Sequence, residues 1–359
     1  MKILHTADWH IGKKLHKHYL YEDFDLFINW LIKLIIEQEI EAILISGDVF
    51  DLANPSAEAR KQYYRALLQL RKTNCQLIIT GGNHDSPSML DAPKEILNEL
   101  NVTVIGGMPS KIEECLIPLQ NKKGENELIV AALPFLRDSD LRSIDEEVVY
   151  ENRIEAIRKG IEATFTKAAK TSKDLYPELP VLAMGHLYAA GIESSDSERD
   201  IQIGNQAAFQ ASQFGTEFSY VALGHIHKPQ RVNAQIPTFY SGSPLPLSFS
   251  ERKDEKRLLL INTENGFEPE SIAIPSFRKL IRINGSIAEI QQKLFSLESQ
   301  DSLTNLIEVE LIEENYDANL ITQLDDLVTN FEQANFEIVK HRATFKNQLR
   351  ESGKLFENH

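Results

Sequence analysis

Short apolar runs typical of strands alternate with segments of helical periodicity along the first 275 residues. The predicted strands cover residues 2–6, 42–46, 76–80, 102–105, 128–133, 181–184, 220–223, 238–240 and 257–261. The predicted helices cover about 20–35, 54–72, 88–100 and 147–169, and the second opens on an Asn54 cap followed by Pro55. This alternation predicts an α/β fold.

The pattern changes after Pro275, where a second and smaller unit with its own sheet is predicted. Strands at 277–283, 306–311 and 336–341 alternate with helices at 287–297 and 318–333, without a cluster of ligand-type residues. We therefore expect a main domain over residues 1–275, a small α/β capping domain over 276–345, and a polar C-terminal tail over 346–359.

Side chains that can bind metals directly follow five of the predicted strands. In chain order they are Asp8 and His10, then Asp48 and Asp51, then Asn83, His84 and Asp85, then His186, and finally His225 and His227. In a mainly parallel or mixed sheet such strand ends gather at one edge, where ligands bind. Each motif alone is typical of a turn, and the last pair also fits a solvent-facing strand. Five such strand ends together favour a metal site.

The residue types indicate the metal and its chemistry. The predicted ligands are Asp8, His10, Asp48, Asn83, His186, His225 and His227. This set of oxygen and imidazole ligands lacks a thiolate, which suits manganese or iron and is compatible with zinc. Seven ligands are too many for one ion, so we expect two ions that share one carboxylate, with Asp48 as the natural bridge.

Two metal ions of this kind suit the hydrolysis of a phosphodiester, and the leaving group of that reaction needs a proton. His84 is the best candidate for the donor, because an imidazole titrates in the right range. Asp85, the next residue, is expected to orient this imidazole and to stabilise its charge. The alternative for His84 is a structural hydrogen bond outside the ligand set.

The net charge of −15 argues against a simple nucleic-acid binder, which usually has a basic surface. It does not exclude an enzyme that acts on nucleic acid, because bound cations and a partner subunit can supply positive charge. The candidates for contacts with phosphates are Lys13, Lys14, Lys17, Arg60 and Lys61. For the basic run after His10, a solvated loop is the alternative.

The cysteines, the apolar runs and the N-terminal pattern of the sequence indicate the cellular compartment. The two cysteines, Cys75 and Cys115, have neither disulfide nor metal spacing. No apolar run reaches the roughly 18 residues that cross a bilayer, and a strand pattern begins at Lys2, where a signal peptide would lie. We expect a cytoplasmic protein without a membrane segment.

The order of the motifs Asp-x-His, Gly-Asp, Gly-Asn-His-Asp, Gly-His and Gly-His-x-His resembles that of the calcineurin-like metallophosphoesterases. Segments 3–10, 47–51, 222–227 and 241–249 are similar to bacterial nuclease subunits of this family, and the likeness covers nearly the whole chain. The resemblance implies a β-sandwich flanked by helices and His84 as the catalytic histidine. It implies one ion bound by Asp8, His10, Asp48 and His227, and a second bound by Asp48, Asn83, His186 and His225.

The same resemblance implies Mn²⁺ as the metal. It also implies endonuclease cleavage of single strands and hairpins, and 3′–5′ exonuclease cleavage of duplex ends. These nucleases work with an ATPase subunit of the structural-maintenance type and form homodimers through helices that correspond here to residues 56–72 and 88–100. Burial of those apolar stripes within a single chain is the alternative.

Two features depart from the family's pattern. Archaeal and eukaryotic relatives carry a histidine at the position of Asp51, which favours the bacterial branch and leaves the role of Asp51 open. The family usually continues past the position of His359 into helices that dock the ATPase. We therefore expect a truncated C-terminus or an altered mode of docking.

Two other functions compete with a DNA nuclease. The first is a phosphatase or phosphodiesterase of the same superfamily that acts on a different substrate. The phosphoprotein phosphatases place an arginine soon after the second acid of Gly-Asp-x-x-Asp, whereas Asp51 is followed by Leu52, Ala53 and Asn54. The second is a non-catalytic scaffold, which the complete ligand set and the presence of His84 argue against.

Overall fold

The structure is a computed structural model in which residues 1–141, 150–194, 197–199 and 208–347 are described. The chain divides into two compact units, one of residues 1–13 and 24–275, the other of residues 14–23 and those from 276 onward. Two of our predictions lie partly outside the described residues, namely the start of the helix at 147–169 and the tail beyond residue 347.

Strands and helices alternate along most of the described chain. The strands are β1 Lys2–Thr6, β2 Lys14–Leu15, β3 His18–Tyr19, β4 Ala42–Ser46, β5 Gln76–Thr80, β6 Val102–Ile105, β7 Leu116–Gln120, β8 Asn126–Ala132, β9 Val181–His186, β10 Tyr220–Gly224, β11 Gln230–Arg231, β12 Thr238–Tyr240, β13 Arg257–Asn262, β14 Glu270–Ala273, β15 Leu280–Gly285, β16 Asn305–Glu313 and β17 Phe336–Phe345. The helices are α1 Tyr21–Gln38, α2 Ala57–Arg71, α3 Pro87–Asp91, α4 Lys94–Asn98, α5 Asp138–Leu141, α6 Tyr150–Leu175, α7 Ile287–Phe295 and α8 Ala318–Thr329. Within the described ranges, none of these helices has both the length and the apolar composition that crossing a bilayer requires.

Two six-stranded sheets form the larger unit. Their orders are β14-β13-β1-β4-β5-β6 and β11-β12-β10-β9-β8-β7. Neighbouring strands are parallel from β1 to β6 in the first sheet and from β12 to β8 in the second, and the remaining pairs are antiparallel. The carboxyl ends of β1, β4 and β5 therefore share one edge of the first sheet, and those of β9 and β10 share one edge of the second.

The core of the larger unit lies between its two sheets. Ile3 and Leu44 of the first sheet belong to one buried cluster with Val130 and Met184 of the second. Another cluster joins the second sheet to α6, where Phe165 is buried. This arrangement confirms the α/β fold and the sandwich of sheets flanked by helices that the sequence indicated.

The helix that we predicted over residues 88–100 is wrong as a single element, because the structure contains the two short helices α3 and α4 instead. Pro93 lies between them. Proline lacks the N–H that would continue the hydrogen-bond ladder, and its ring clashes with the preceding turn, so the helix ends there. The strands β7, β11 and β14 and the hairpin of β2 and β3 were not predicted.

The smaller unit has a parallel three-stranded sheet with the order β15-β16-β17, together with α7, α8 and the hairpin of β2 and β3. Ile290 and Leu294 of α7 and Leu324 of α8 are buried in one cluster with Ile307 and Val309 of β16. The two helices thus cover this sheet and give the unit a hydrophobic core of its own.

A buried ion pair joins two chain segments within the smaller unit. The Arg278 Nε atom lies 2.6 Å from Asp23 Oδ1, and its Nη2 atom lies 2.8 Å from Asp23 Oδ2. The Nη1 atom donates to the Thr304 carbonyl at 2.7 Å. Each of the three guanidinium nitrogens thus donates one hydrogen bond, and the bidentate pair ties residues 14–23 to the rest of the second unit.

Replacing Arg278 with methionine is expected to destabilise the smaller unit by about 3–5 kcal/mol, because the Asp23 carboxylate would stay buried without a partner. Urea unfolding followed by circular dichroism measures this loss. The double variant Asp23→Leu/Arg278→Met removes both charges and should recover most of the stability. A single variant as stable as the parent would contradict the prediction.

Candidate metal centre

The parallel strands bring the predicted site residues to one edge of the sandwich. Asp8 and His10 follow β1, Asp48 follows β4, and Asn83 and His84 follow β5. In the second sheet the candidates are the residues at the ends of β9 and β10, namely His186, His225 and His227. Loops at the carboxyl ends of parallel strands form the crevice where ligands bind in α/β proteins.

The backbone turns sharply at four of these residues. The φ angles of Asp8, His10, Asp48 and His225 are 53°, 43°, 48° and 102°, which is the left-handed region that non-glycine residues rarely adopt. Main-chain hydrogen bonds hold the first two loops together, from Asp8 N to Gly47 O and from His10 N to Asp48 O, both at 3.0 Å. Such strained conformations persist where the surrounding structure fixes them, and they concentrate at functional sites.

A close contact between the sheets depends on Gly224, the last residue of β10. A Cβ atom built there would lie 1.8 Å from the Ser46 carbonyl oxygen and 2.9 Å from His186 Nδ1. The same carbonyl accepts a hydrogen bond from His186 Nδ1 at 3.0 Å. The absence of a side chain at Gly224 therefore allows the two sheets to approach and the His186 ring to keep its position.

Replacing Gly224 with alanine is expected to displace His186 and to lower the affinity for divalent metal by about 10- to 100-fold. Isothermal titration of the metal-free protein with Mn²⁺ measures this change. Gly124→Ala is the matched control, because a Cβ atom there meets nothing within 4 Å although φ is +80°. Equal metal affinities in the two variants would show that the contact with Ser46 does not position the site.

Asp48 lies at the centre of the candidate site. Its Oδ2 atom lies 3.4 Å from His186 Nε2, 3.6 Å from His10 Nε2 and 4.0 Å from His84 Nε2. Its Oδ1 atom accepts the main-chain N–H of His84 at 2.8 Å. Imidazoles from three different strand ends thus surround one carboxylate. Two of them, His10 and His186, belong to the two different predicted ions, as a shared ligand requires.

Three overlapping groups of buried side chains have ligand atoms within 4.8 Å of one another: Asp8, His10 and His227; His10, Asp48 and His84; and Asp48, His186 and His225. The Asn83 Oδ1 atom extends the last group, at 2.9 Å from His186 Nε2 and 3.2 Å from His225 Nδ1. The structure therefore brings all seven predicted ligands into one site.

The ring nitrogens test whether these residues fit a metal. The Nε2 atoms of His10 and His225 are buried and have no hydrogen-bond partner among the described residues. A buried polar atom without a partner costs free energy, so such atoms are rare in folded proteins. A metal ion bound at His10 Nε2 would satisfy that atom, and the donor set therefore fits divalent metal.

The protonation states of His10, His225 and Asp48 also suit metal binding. Burial lowers the pKa of His10 to about 4 and holds the pKa of His225 well below its usual value. Burial opposes ionisation of Asp48, but the charge of His186 keeps the pKa of this carboxyl well below its usual range. Burial raises the pKa of Asp8 to about 7. Neutral His10 and His225 and an ionised Asp48 are in the forms that bind metals. Against the effect of burial, the Asp48 carboxylate raises the pKa of His186 to about 9, so a metal ion would have to displace a proton from that ring.

The contacts of His84 and Asp85 differ from the prediction that Asp85 orients the His84 imidazole. The His84 Nδ1 atom lies 2.8 Å from the main-chain carbonyl of Asp51. The Asp85 carboxylate accepts main-chain N–H groups instead, from Val49 and Phe50 at 3.0 Å and from Gly82 at 2.9 Å. Asp85 therefore joins two loops of the site, and the orienting contact that we assigned to it is made by the Asp51 carbonyl.

Comparison with known proteins identifies the family. The model of the calcineurin-like phosphoesterase family matches residues 1–229, more than half of the chain. The chain belongs to this family. A model described as the type 5 capsule protein repressor C-terminal domain matches residues 276–357. The phosphoesterase fold implies that divalent metal binds, and we conclude that the chain is a hydrolase of phosphodiester bonds.

Several relatives of this phosphoesterase are named as the D component of the nuclease SbcCD. The one from Rhodobacter capsulatus is 35% identical over 291 residues, which cover 79% of this chain and 71% of the relative. The one from Escherichia coli K12 is 33% identical over 305 residues, covering 82% and 73%. The one from Bacillus subtilis is 32% identical over 294 residues, covering 79% and 72%. These matches confirm the resemblance to the bacterial branch, SbcD.

The five basic residues predicted to contact DNA fall in different environments. Lys13 is half-buried, and its Nζ atom lies 3.1 Å from Asp51 Oδ1 at the rim of the site. Lys14 is exposed, with its Nζ atom 4.9 Å from the centre of the Tyr19 ring. The other three, Lys17, Arg60 and Lys61, are exposed. Their contacts with DNA remain predictions.

Our sequence analysis missed the carboxylate that contacts His227. Glu251 is buried and its Oε1 atom lies 3.3 Å from His227 Nδ1, although the two residues are 24 positions apart. No metal-binding motif marks Glu251 in the sequence. The sequence signal nearest to Glu251 was segment 241–249, which resembles the bacterial nuclease subunits of the family and ends two residues before Glu251.

Proposed function

We propose that this phosphoesterase is a Mn²⁺-dependent DNA nuclease with two metal ions that share Asp48. The observation that carries the proposal is that residues from four strand ends surround the carboxylate of a fifth, beside a buried His10 Nε2 atom that has no hydrogen-bond partner among the described residues. One ion would be held by Asp8, His10, Asp48 and His227, and the other by Asp48, Asn83, His186 and His225. When bound, the ions activate water and neutralise charge on the phosphate.

His84 is the proposed donor of a proton to the departing sugar oxygen. Its Nδ1 atom is engaged by the Asp51 carbonyl at 2.8 Å, so Nε2 is the nitrogen available for proton transfer. Burial lowers the pKa of His84, which disfavours the protonated ring in the free enzyme. A negatively charged phosphate nearby raises that pKa, so the donating form is favoured once substrate is bound.

The proposed activities are endonuclease cleavage of single strands and hairpins and 3′–5′ exonuclease cleavage of duplex ends, in processing DNA during replication, recombination and repair. Support comes from relatives whose names describe nucleases and components of SbcCD. We propose an SbcC-type ATPase subunit as the partner. The net charge of −15 repels a polyanion, so bound metal ions and basic surface on the partner would have to offset it.

Cleavage assays on the purified full chain test this function. We expect fluorescently labelled single strands and hairpins to be cut with Mn²⁺ and to stay intact with EDTA, and metal analysis to give two ions per chain. Hydrolysis of a phosphopeptide but not of DNA would support a phosphatase and refute the nuclease. A chain that binds no metal and cuts neither substrate would support the scaffold alternative.

The homodimer is a further part of this proposal. In α2, the stripe of Ala59, Tyr63, Ala66, Leu67 and Leu70 is buried within the chain, so it is not the dimer surface. Apolar side chains on the other faces are exposed, namely Tyr64 and Leu68 of α2 and Ile96 of α4, of which the last is 71% exposed. Exposed apolar side chains of this size are suited to a protein interface.

Replacing Leu68 and Ile96 with glutamate is expected to convert a dimer into a monomer, because two charges would have to be buried in the interface. Sedimentation velocity measures the oligomeric state. The control is Ile36→Glu, since Ile36 is also exposed, at 65%, but lies on α1. A parent that sediments as a monomer would refute the proposed dimer, and a dimeric double variant would exclude these helices from its interface.

A further inference from the structure

A buried carboxylate outside the ligand set contacts the ring of His227. Glu251 is 1% exposed as a residue, and its Oε1 atom lies 3.3 Å from His227 Nδ1. The Ser197 hydroxyl lies 2.7 Å from the same nitrogen and also donates to Glu251. The ring nitrogen Nδ1 is therefore occupied by polar groups of the protein, which leaves Nε2 for a metal ion.

Lys256 fixes this carboxylate in place. Its buried Nζ atom lies 2.5 Å from Glu251 Oε2, 2.9 Å from Ser243 Oγ and 3.0 Å from the His227 carbonyl. These three contacts match the three donors of an ammonium group. The main-chain N–H of Leu247 donates to the same Oε2 atom at 3.1 Å. Burying two charges is costly unless each is paired, and here both are.

A second lysine-held carboxylate contacts the other histidine of the same group. The Asp51 Oδ1 atom lies 3.2 Å from His10 Nδ1 and 3.1 Å from Lys13 Nζ. The Nε2 atom of His10 is buried and has no hydrogen-bond partner among the described residues. The role of Asp51, which the sequence left open, is thus similar to that of Glu251.

The histidines of the other group have neutral partners at Nδ1. The His186 Nδ1 atom donates to the Ser46 carbonyl at 3.0 Å and lies 3.9 Å from Asp8 Oδ1, beyond hydrogen-bonding distance. The His225 Nδ1 atom lies 3.2 Å from Oδ1 of Asn83, which is itself a proposed ligand of the same ion. Negative hydrogen-bond acceptors at Nδ1 therefore occur at His10 and His227, which form one group with Asp8. A carboxylate at Nδ1 makes a histidine a more basic metal ligand than a carbonyl does.

We propose that Glu251 and Asp51 are positioning residues for the metal ion at Asp8, His10 and His227. Each keeps the proton of its histidine on Nδ1, holds the ring in place and increases the basicity of Nε2. Lys256 and Lys13 hold the two carboxylates against these rings. This inference rests on the ligand set of the proposed function. Within the described ranges, carboxylates hydrogen-bonded to a histidine Nδ1 atom occur at the ligands of one of its two ions.

Titration of the metal-free full chain with Mn²⁺ tests the inference. Glu251→Gln and Asp51→Asn keep the size of each side chain and remove its charge. We expect the affinity of one of the two ions to fall by about 10- to 100-fold in each variant, with the other ion unaffected. The titration should resemble that of His10→Asn and differ from that of His225→Asn. Asp51→Glu should restore part of the affinity.

Two further variants keep the test decisive. Glu255→Gln is the matched control, because Glu255 is exposed and pairs with Arg257 on the surface. If Glu251→Gln fails to fold because Lys256 loses its partner, Glu251→Gln/Lys256→Met removes both charges, and Asp51→Asn changes a carboxylate that is only partly buried.

The outcomes separate this inference from the proposed function. Folded Asp51→Asn and Glu251 variants that bind both ions with the parent's affinity would overturn the positioning role. An equal loss at both sites would also overturn it, because the effect would not be specific to the Asp8 group. A parent chain that binds no Mn²⁺ would instead refute the metal centre itself.

Discussion

Replacing Asp48 with asparagine is expected to abolish binding of at least one metal ion and to reduce phosphodiester hydrolysis by about 1,000-fold or more. The Asp48 Oδ2 atom lies between 3.4 and 4.0 Å from nitrogens of His186, His10 and His84. Asparagine keeps the shape of the side chain but loses the negative charge. A neutral amide that presents one oxygen is a poor bridge between two cations.

Metal titration and single-turnover cleavage measure these two losses. The main-chain hydrogen bond from His84 to Asp48 Oδ1 can be kept by the amide oxygen, so the loop after β5 should stay in place. Asp25→Asn is the control, because Asp25 is 45% exposed at its side chain and pairs with Arg65 on the surface. An Asp48→Asn variant that binds two ions as tightly as the parent would refute the shared ligand.

The strands that hold the site could be predicted from the sequence because each contains a short run of buried apolar residues. The segments at β1, β4, β5 and β6 occur at the predicted residues, and the first three of them each end in a polar motif that forms part of the site. β7 was missed because Pro118 lies within it. A proline is tolerated there because β7 is the edge strand of its sheet, paired with β8 on one side only.

A short polar strand gave too weak a pattern for prediction. β14 has the sequence Glu-Ser-Ile-Ala and has no buried residue, so its conformation is set by pairing with β13 and not by its own apolar residues. The same reasoning applies to the hairpin of β2 and β3, which pairs only four residues. Extended segments of this kind depend on a partner that the local sequence does not reveal.

Some residues of the candidate site could likewise be predicted from the sequence, and others could not. Residues such as Asp48 and His186 could be found because strand end, glycine and ligand type occur together in short motifs. The partner of His84 could not be found, since it is the main-chain carbonyl of Asp51 and every residue carries such a group. Glu251 approaches His227 only through the tertiary fold. Glu251 could thus be found only from the structure, whereas the candidate ligands occur in motifs that the sequence shows.

Replacing His84 with glutamine is expected to leave Mn²⁺ binding intact and to reduce DNA cleavage by about 100- to 10,000-fold. The main-chain N–H of residue 84 still donates to Asp48, so the bridging carboxylate keeps its position. The side chain is 4% exposed, and its Nε2 atom lies 4.0 Å from Asp48 Oδ2. It is close enough to serve the site without being one of the seven proposed ligands. Glutamine retains much of this volume but supplies no acidic proton.

The identity of the leaving group distinguishes proton donation from substrate binding. A nitrophenolate leaves without protonation, so hydrolysis of bis(p-nitrophenyl) phosphate should fall much less in His84→Gln than cleavage of DNA does. His18→Gln is the control, because His18 lies outside the site and contacts Glu337 in the smaller unit. Equal losses on the two substrates would show that His84 binds the phosphate instead of protonating the sugar oxygen. Loss of Mn²⁺ binding in the variant would place His84 among the metal ligands.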